Sequence, residues 1–163
     1  MANKNSFTTE EWDVLRQVPF MTGLIVVAAS PSGPIGLMKE SAAASRMILE
    51  AIQTSQTEMM KSLAEDLKAS MQVPRLESNS PEDVRTAGLN MCRRASFFIK
   101  SKASAEEGAE FRTFLNTLAK NVAEASKEGG FLGFGGTLVS DAEQTALADI
   151  AAALGDSTSA AGV

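Results

Sequence analysis

The longest apolar run of the chain lies in TTEEWDVLRQVPFMTGLIVVAAS, residues 8–30, and the placement of this run decides the fold. The run is interrupted by Pro19, Thr22 and Gly23. It therefore falls short of the roughly 20 consecutive apolar residues that span a bilayer. We expect a buried helix of a helical bundle here, and the alternative is a re-entrant segment that dips into a membrane.

Local signals predict where this helix begins. Thr8 and Glu11 have the spacing of a capping box. Phe7 and Trp12 occupy the positions of a hydrophobic staple, so a helix should start near residue 9. Pro19 suits the first turn of a helix, because the N–H that proline lacks would be unbonded there anyway. The pattern therefore predicts a second helix after Pro19 and a kinked pair overall.

A long stretch without proline or glycine, residues 37–73, is rich in Ala, Met, Leu and Glu and favours helix. It is too long for one ordinary helix. The polar residues 53–57 are the expected break. After this break Leu63 and Leu67 recur at helical spacing, and the same spacing turns Asp66 toward water.

The next helix has a strong start signal in Ser80 and Pro81, which combine a capping serine with proline at the first helical position. Apolar residues cover much of the circumference of this helix. One apolar stripe contains Gly88 and Ala95, and Phe97 lies on the other side of the helix. Such a distribution is typical of the central helix of a bundle. Gly88 and Ala95 would let a neighbouring helix approach closely.

Two further capping boxes predict the last two helices. Ser104 with Glu107 opens the first of them, which should end near residue 127 or 128. Ser140 with Glu143 opens the second, and Gly155 is its expected stop. The apolar stripe of the first of these helices consists of Phe111, Phe114, Leu115, Leu118 and Val122.

These elements predict an all-α, single-domain bundle of about six helices in residues 1–155, with a long glycine-rich loop before the last helix. No segment alternates polar and apolar residues for long enough to suggest a strand. Residues 156–163, DSTSAAGV, have too little apolar surface to order themselves and should form a disordered C-terminal tail.

Composition narrows the function classes. The net charge of −5 at pH 7 argues against a nucleic-acid surface, which needs concentrated Lys and Arg. The chain has no histidine and no tyrosine, which removes the commonest general base and the commonest transition-metal ligand. A single cysteine and the lack of a visible secretory or transit segment favour a cytoplasmic protein.

The glycine-rich segment KEGGFLGFGGTLVSDAEQ, residues 127–144, is long for a connection between two bundle helices and suggests a functional loop. Successive glycines can turn backbone amides toward an anion, but the acidic residues that follow would repel one. Carboxylates are instead the oxygen ligands that a divalent cation prefers. The candidate metal ligands are Glu128, Asp141 and Glu143.

Apolar side chains within the same segment allow two more interpretations. Phe131 and Phe134 would anchor the loop over the bundle, while the glycines supply positive φ and close approach. If these rings are not buried there, they form a contact for a partner or a membrane. The candidate ligand or partner loop consists of Gly129, Gly130, Phe131, Phe134, Gly135 and Gly136.

Cys92 is followed directly by Arg93 and Arg94, and cations near a thiol favour the reactive thiolate. Sequence neighbours on a helix point in different directions, however, so we expect a buried or half-buried cysteine that packs as a small hydrophobe. The two arginines, with Lys100 and Lys102, also give this helix a local basic bias. Solvated ion pairs with Glu106, Glu107 or Glu110 are the expected explanation, and contact with an anionic ligand or a lipid headgroup is the alternative.

The segment from Phe111 to Leu154, which contains FLNTLAKNVAEASKEGGFLGFGGTLVSDAEQTALADIAAAL, resembles a family of uncharacterised bacterial helical proteins that share GFLGFGG followed by Ser-x-x-Glu. It also resembles, more weakly, the TerB-like domains associated with tellurite resistance. The positions that correspond to that pattern are Ala123, Glu128, Gly129, Ser140 and Glu143. The TerB-like resemblance implies an all-helical fold, a cytosolic location, an acidic metal-associated surface and a role in stress-linked complexes.

The sequence therefore favours a non-enzymatic cytoplasmic interaction module, in a stress-related and TerB-like context, that binds a protein partner or forms a homo-oligomer. It predicts no nucleic-acid binding, no stable membrane insertion and no cofactor other than a divalent cation. The alternative is a helical bundle that binds a small ligand or a divalent cation between the glycine-rich loop and the start of the last helix.

Overall fold

The structure is a computed structural model, and it describes residues 1–30, 45–46, 48–50, 52–71, 74–77, 80–128 and 139–155, with side chains omitted at 125–128. Within these residues the chain is helical and contains no strand, which confirms the predicted all-α single-domain bundle of about six helices. The elements are a short 3-10 helix (Lys4–Ser6), α1 (Thr9–Ala29), α2 (Glu58–Ala69), α3 (Pro81–Lys102), α4 (Ala105–Glu128) and α5 (Asp141–Ala153). The glycine-rich loop and the C-terminal tail lie outside the described residues.

Helix α1 begins where the sequence predicts. The Thr8 hydroxyl accepts the Glu11 N–H at 3.2 Å, and the Glu11 carboxylate accepts the Thr8 N–H at 2.8 Å. The rings of Phe7 and Trp12 lie 5.6 Å apart, so the predicted hydrophobic staple is also present. The predicted break at Pro19 is wrong, because α1 runs through it without interruption.

Burial explains why proline is tolerated in the middle of α1. Pro19 has no N–H to donate to the carbonyl four residues earlier, which weakens the helix locally. Its neighbours Val18, Phe20 and Met21 are all buried on folding. Burying such side chains stabilises the fold by about 1.5–3 kcal/mol each, which outweighs one missing hydrogen bond.

Helix α1 is the central element of the bundle. It contacts α2, α3, α4 and α5, and its most extensive contact is with α3. Helix α3 contacts α1, α4 and α5, which agrees with the expectation of a central helix, but the contacts of α1 are more extensive. Helix α3 packs one side onto α1 and leaves Phe97 exposed on the other.

The contact between α1 and α3 depends on a glycine. A methyl group at Gly88 would lie 2.6 Å from both the Cδ1 and the Cγ1 atoms of Ile25, which is closer than two carbons can approach. The predicted close approach at Gly88 is confirmed. Ala95, two turns further along α3 on the same face, is fully buried as well.

Helices α4 and α5 follow the predicted pattern closely. Ser104 with Glu107 and Ser140 with Glu143 form the predicted capping boxes. Helix α5 is followed by Gly155, whose φ of +80° is the left-handed conformation that suits glycine. The predicted inward stripe of α4 is buried at all five positions, Phe111, Phe114, Leu115, Leu118 and Val122.

The predicted break at residues 53–57 is also confirmed. Residues 53–57 form a turn between helical residue 52 and the start of α2. The Thr57 hydroxyl accepts the N–H of Met60 and caps α2. One continuous apolar cluster then joins the described helices, from Ala2 at one end of the chain to Leu154 at the other.

Candidate functional site

The side of α3 that points away from α1 carries an exposed aromatic residue. Phe97 is 67% exposed, and among the described residues only Met1 is another large apolar side chain with such exposure. Its exposed neighbours on this side of the helix are polar or positively charged. We call this surface the Phe97 face, and it consists of Asn90, Arg93, Arg94, Phe97, Lys100 and Ser101.

The exposure of Phe97 corrects the expectation that α3 is apolar on two sides. Arg93 and Arg94 lie one turn before Phe97, and Ser101 lies one turn after it, on the same surface. Polar residues at these spacings mark the solvent side of a helix. They are the signal in the sequence that could have identified Phe97 as exposed.

Aromatic and cation contacts order the Phe97 face. The rings of Phe97 and Phe98 meet edge to face, with centroids 6.0 Å apart and an interplanar angle of 67°. The Arg94 guanidinium lies 5.9 Å from the centroid of the Phe98 ring, within the range of a cation–π contact. Phe98 is half-buried and packs against the core, so it links this surface to the interior.

The Phe97 face is positively charged although the chain as a whole is acidic. Residues 84–105 hold five Lys or Arg side chains and no acidic residue. The two outer cations form ion pairs, Arg85 with Asp149 and Lys102 with Glu11. The three inner cations, Arg93, Arg94 and Lys100, have no carboxylate within 4.0 Å in the part of the chain that the structure describes.

The predicted pairing of these cations with the glutamates at the start of α4 is therefore wrong. Glu107 caps its own helix and also accepts the Ala2 N–H at 2.8 Å. The Glu110 carboxylate accepts from the turn before α2. Both acids are thus engaged by other parts of the bundle.

The candidate metal ligands have different surroundings. Asp141 is exposed at the first position of α5, whereas Glu143 is buried and its Oε2 atom accepts both the N–H and the hydroxyl of Ser140. Glu128 ends α4, and its side chain lies outside the described residues. No group of three or more His, Cys, Asp or Glu side chains in the described ranges is placed to hold a metal ion.

The candidate partner loop cannot be placed on this fold. Its residues Gly129, Gly130, Phe131, Phe134, Gly135 and Gly136 all lie outside the described residues. Among the described residues the structure shows an open groove of about 460 Å³. The end of α1 and the first turns of α3 and α5 line this groove, with Ala28, Pro81 and Ala142 among the lining residues.

A second concavity, of about 310 Å³, lies at the start of α1 and contains two cations, Lys4 and Arg16. Both are engaged by the protein itself. Lys4 forms an ion pair with Asp66 at 2.7 Å, and Arg16 donates to the Ser70 carbonyl at 3.0 Å. These contacts leave the Phe97 face as the more available cationic surface.

Asp66 joins α2 to the N-terminal segment and to α1. The expectation that this side chain faces water is therefore wrong. Its Oδ2 atom accepts from Lys4 Nζ at 2.7 Å and from Trp12 Nε1 at 2.8 Å. The hydrogen bond from Lys4 lowers the pKa of Asp66, burial opposes this shift, and the bond from Trp12 adds to the lowering. The ionised carboxylate therefore holds α2 against the start of α1.

Glu110 has a similar role between α4 and α2. Burial acts to raise its pKa, but hydrogen bonds from the Thr57 hydroxyl and from the N–H groups of Gln56 and Thr57 outweigh burial and lower it. The two N–H bonds measure 2.6 Å and 3.0 Å. This carboxylate fixes the turn that precedes α2.

Cys92 is buried, as the sequence predicts. Its sulphur lies 3.8 Å from the Thr22 hydroxyl of α1. Burial raises the pKa of Cys92 to about 11, and the contact with Thr22 only partly offsets this. The thiol is therefore protonated at neutral pH and is not an activated nucleophile.

Helix α1 is long and apolar enough to cross a membrane by length and composition, and it is the one such helix in the described ranges. The apolar run within it, residues 18–29, remains shorter than the roughly 20 residues of a bilayer span. In addition, 67% of its most apolar window is buried inside the bundle. A mostly buried core helix passes the same test, so the finding is weak evidence for a membrane span.

No protein-family model, curated protein or solved structure matches the chain. The resemblances to the GFLGFGG family and to TerB-like domains therefore stay predictions.

Proposed function

We propose that this protein is a non-enzymatic cytoplasmic interaction module that binds another protein through the Phe97 face. The observation that carries the proposal is the 67% exposure of Phe97, one turn after Arg93 and Arg94, on a helix whose other side is packed on α1. Aromatic residues and arginine are the types enriched where protein interfaces concentrate their binding energy.

The fold does not use Phe97 for its own stability. Helix α3 buries Val84, Cys92 and Ile99 against the bundle, and these residues lie on the opposite side of the helix. Burial of a phenyl side chain contributes about 1.5–3 kcal/mol. At Phe97 most of this contribution is available to a partner.

The carboxylates described above support a non-enzymatic role. General acid–base catalysis by a carboxylate near neutral pH calls for a raised pKa. The pKa values of Glu11, Asp66 and Glu110 are all lowered, because these carboxylates accept hydrogen bonds from cations, hydroxyls or backbone N–H groups. They are suited to hold the bundle together as permanent anions.

Photo-crosslinking tests the proposal. A benzophenone amino acid would replace Phe97 in cells that produce the protein, and the matched control would carry it at the exposed Lys120 of α4. We expect one dominant adduct from position 97 that is absent from position 120. The captured protein, once identified and purified, should bind the Phe97→Ser variant at least tenfold more weakly than the unmodified chain, which is typical of a central interface residue.

Two results would contradict the proposal. The first is the same set of adducts from both positions, or none from either. The second is a captured protein whose affinity is unchanged by Phe97→Ser while the variant keeps the far-ultraviolet circular dichroism of the parent.

A further inference from the structure

We infer that the partner of the Phe97 face is an acidic protein segment in which an apolar side chain lies between carboxylates. This inference rests on the proposed function and adds the chemistry of the partner.

Charge complementarity favours an acidic partner. Residues 84–105 hold no acid, whereas the rest of the chain holds all 20 acidic residues and ten of the 15 cations. The inner cations Arg93, Arg94 and Lys100 are exposed and have no carboxylate within ion-pair distance among the described residues. Such a patch would steer an acidic segment toward α3 and orient it there.

The spacing of the cations sets the pattern of the partner. The Cα positions of Arg93 and Lys100 are seven residues, or about 10 Å, apart along the helix, and the Lys100 ammonium extends toward Gly155 at the end of α5. Phe97 lies between Arg93 and Lys100. A partner helix beside α3 would therefore present carboxylates about two turns apart, with an aliphatic or aromatic side chain between them to cover the Phe97 ring.

The same charges disfavour a second copy of this chain in a symmetric dimer. A twofold interface joins the same patch on both subunits. It would bring the patch that holds Arg93, Arg94 and Lys100 against the same three cations of the other copy, and juxtaposed like charges cost several kcal/mol. Phosphate polymers are disfavoured too, because the chain has a net charge of −5 and this patch offers three cations.

Selection from a random peptide library tests the inference without knowledge of the natural partner. Phage that display random 16-residue peptides would be selected on the full chain and then depleted on the Phe97→Ser variant. We expect the peptides that depend on Phe97 to be enriched in Asp and Glu around a central apolar residue.

The selected peptides are then measured against charge variants by fluorescence anisotropy. Arg93→Glu/Arg94→Glu should weaken binding at least tenfold. The milder Arg93→Gln/Arg94→Gln should also weaken binding, and it provides the test if the charge reversal disturbs folding. Lys120→Glu, a charge reversal on exposed α4 surface, is the control and should leave the affinity unchanged.

The outcomes separate the two proposals. Peptides that need Phe97 but are neutral or basic, and that tolerate both arginine variants, would overturn the acidic partner and leave the interaction surface in place. If no enriched peptide depends on Phe97, the proposed function fails together with the inference. Acid-rich peptides that depend on both Phe97 and the arginines support both.

Discussion

Gly88 shows how one residue can determine the distance between two helices. The backbone of α3 lies so close to α1 that a single added methyl group would overlap Ile25. Gly23 on α1 is different, because a methyl group there would lie 3.8 Å from Val122, at ordinary van der Waals distance. The two glycines lie in the same core but differ in the space beside them, so Gly23 serves as the control for Gly88.

Alanine at these two positions should have opposite effects. From local propensity alone, both substitutions should raise the free energy of unfolding by about 0.5–1 kcal/mol, because alanine has a higher helix propensity than glycine. Gly88→Ala must also displace Ile25, and such overpacking costs about 1–3 kcal/mol, so we expect net destabilisation. Gly23→Ala should stabilise the protein. Urea unfolding of both variants measures the difference, and equal shifts in the same direction would contradict the proposed packing.

Cys92 gives a second prediction at the scale of one residue. Its thiol is buried and protonated, so at pH 8 a disulfide reagent such as DTNB should modify it only as the bundle opens, with a rate that rises with urea. The control is Ser101→Cys on the exposed side of α3, where one added thiol should react within seconds. Fast, stoichiometric modification of the unmodified chain in native buffer would show that Cys92 is accessible.

At the scale of elements, helix starts could be predicted from the sequence because capping is local. The hydrogen bonds of Thr8, Ser80, Ser104 and Ser140 each involve a residue three positions away, so short motifs were sufficient. Pro19 was misassigned because its cost in α1 is offset by side chains buried against other helices. Such tertiary compensation cannot be read from a local pattern.

The contact between α4 and the turn before α2 should depend on pH. The folded-state pKa of Glu110 is lower than its ordinary value of 4.5, so the unfolded chain binds more protons as the pH falls through and below that value. The stability that Glu110 contributes is therefore complete above about pH 4.5 and is lost toward lower pH.

Glu110→Gln tests this dependence. We expect a loss of about 1 kcal/mol at pH 7, since hydrogen bonds to a partly exposed carboxylate are modest, and a smaller further loss between pH 5 and 3 than in the parent. Urea unfolding followed by circular dichroism measures both quantities, and Glu124→Gln at an exposed position of the same helix is the control. An identical pH dependence in parent and variant would exclude Glu110 as a contributor.

For the whole molecule, the structure predicts that α1 carries the stability and that the Phe97 face does not. Leu15→Ala on α1 removes a fully buried side chain and should cost about 2–5 kcal/mol. Phe97→Ala should change the free energy of unfolding by no more than about 0.5 kcal/mol. Thermal and urea unfolding would measure both, and a comparable loss from the two variants would show that Phe97 is part of the core.

The identity of the helix with the most extensive contacts and the exposure of the Phe97 face could not be predicted from the sequence. Helix α3 looks apolar on two sides when Gly88 and Phe97 are considered alone, and only the position of α1 shows which side is buried. The Phe97 face likewise emerges because no helix in the described ranges packs on that side of α3. Both are properties of the assembled bundle.

The central position of α1 also has a consequence for synthesis on the ribosome. Helix α1 is completed at Ala29, but its main neighbour α3 begins only at Pro81. At a translation rate of about 5–20 residues per second, the apolar surface of α1 lacks that neighbour for several seconds. A nascent chain in this state is a natural client for chaperones that shield apolar segments, and the yield of native protein should depend on them more than the final stability does.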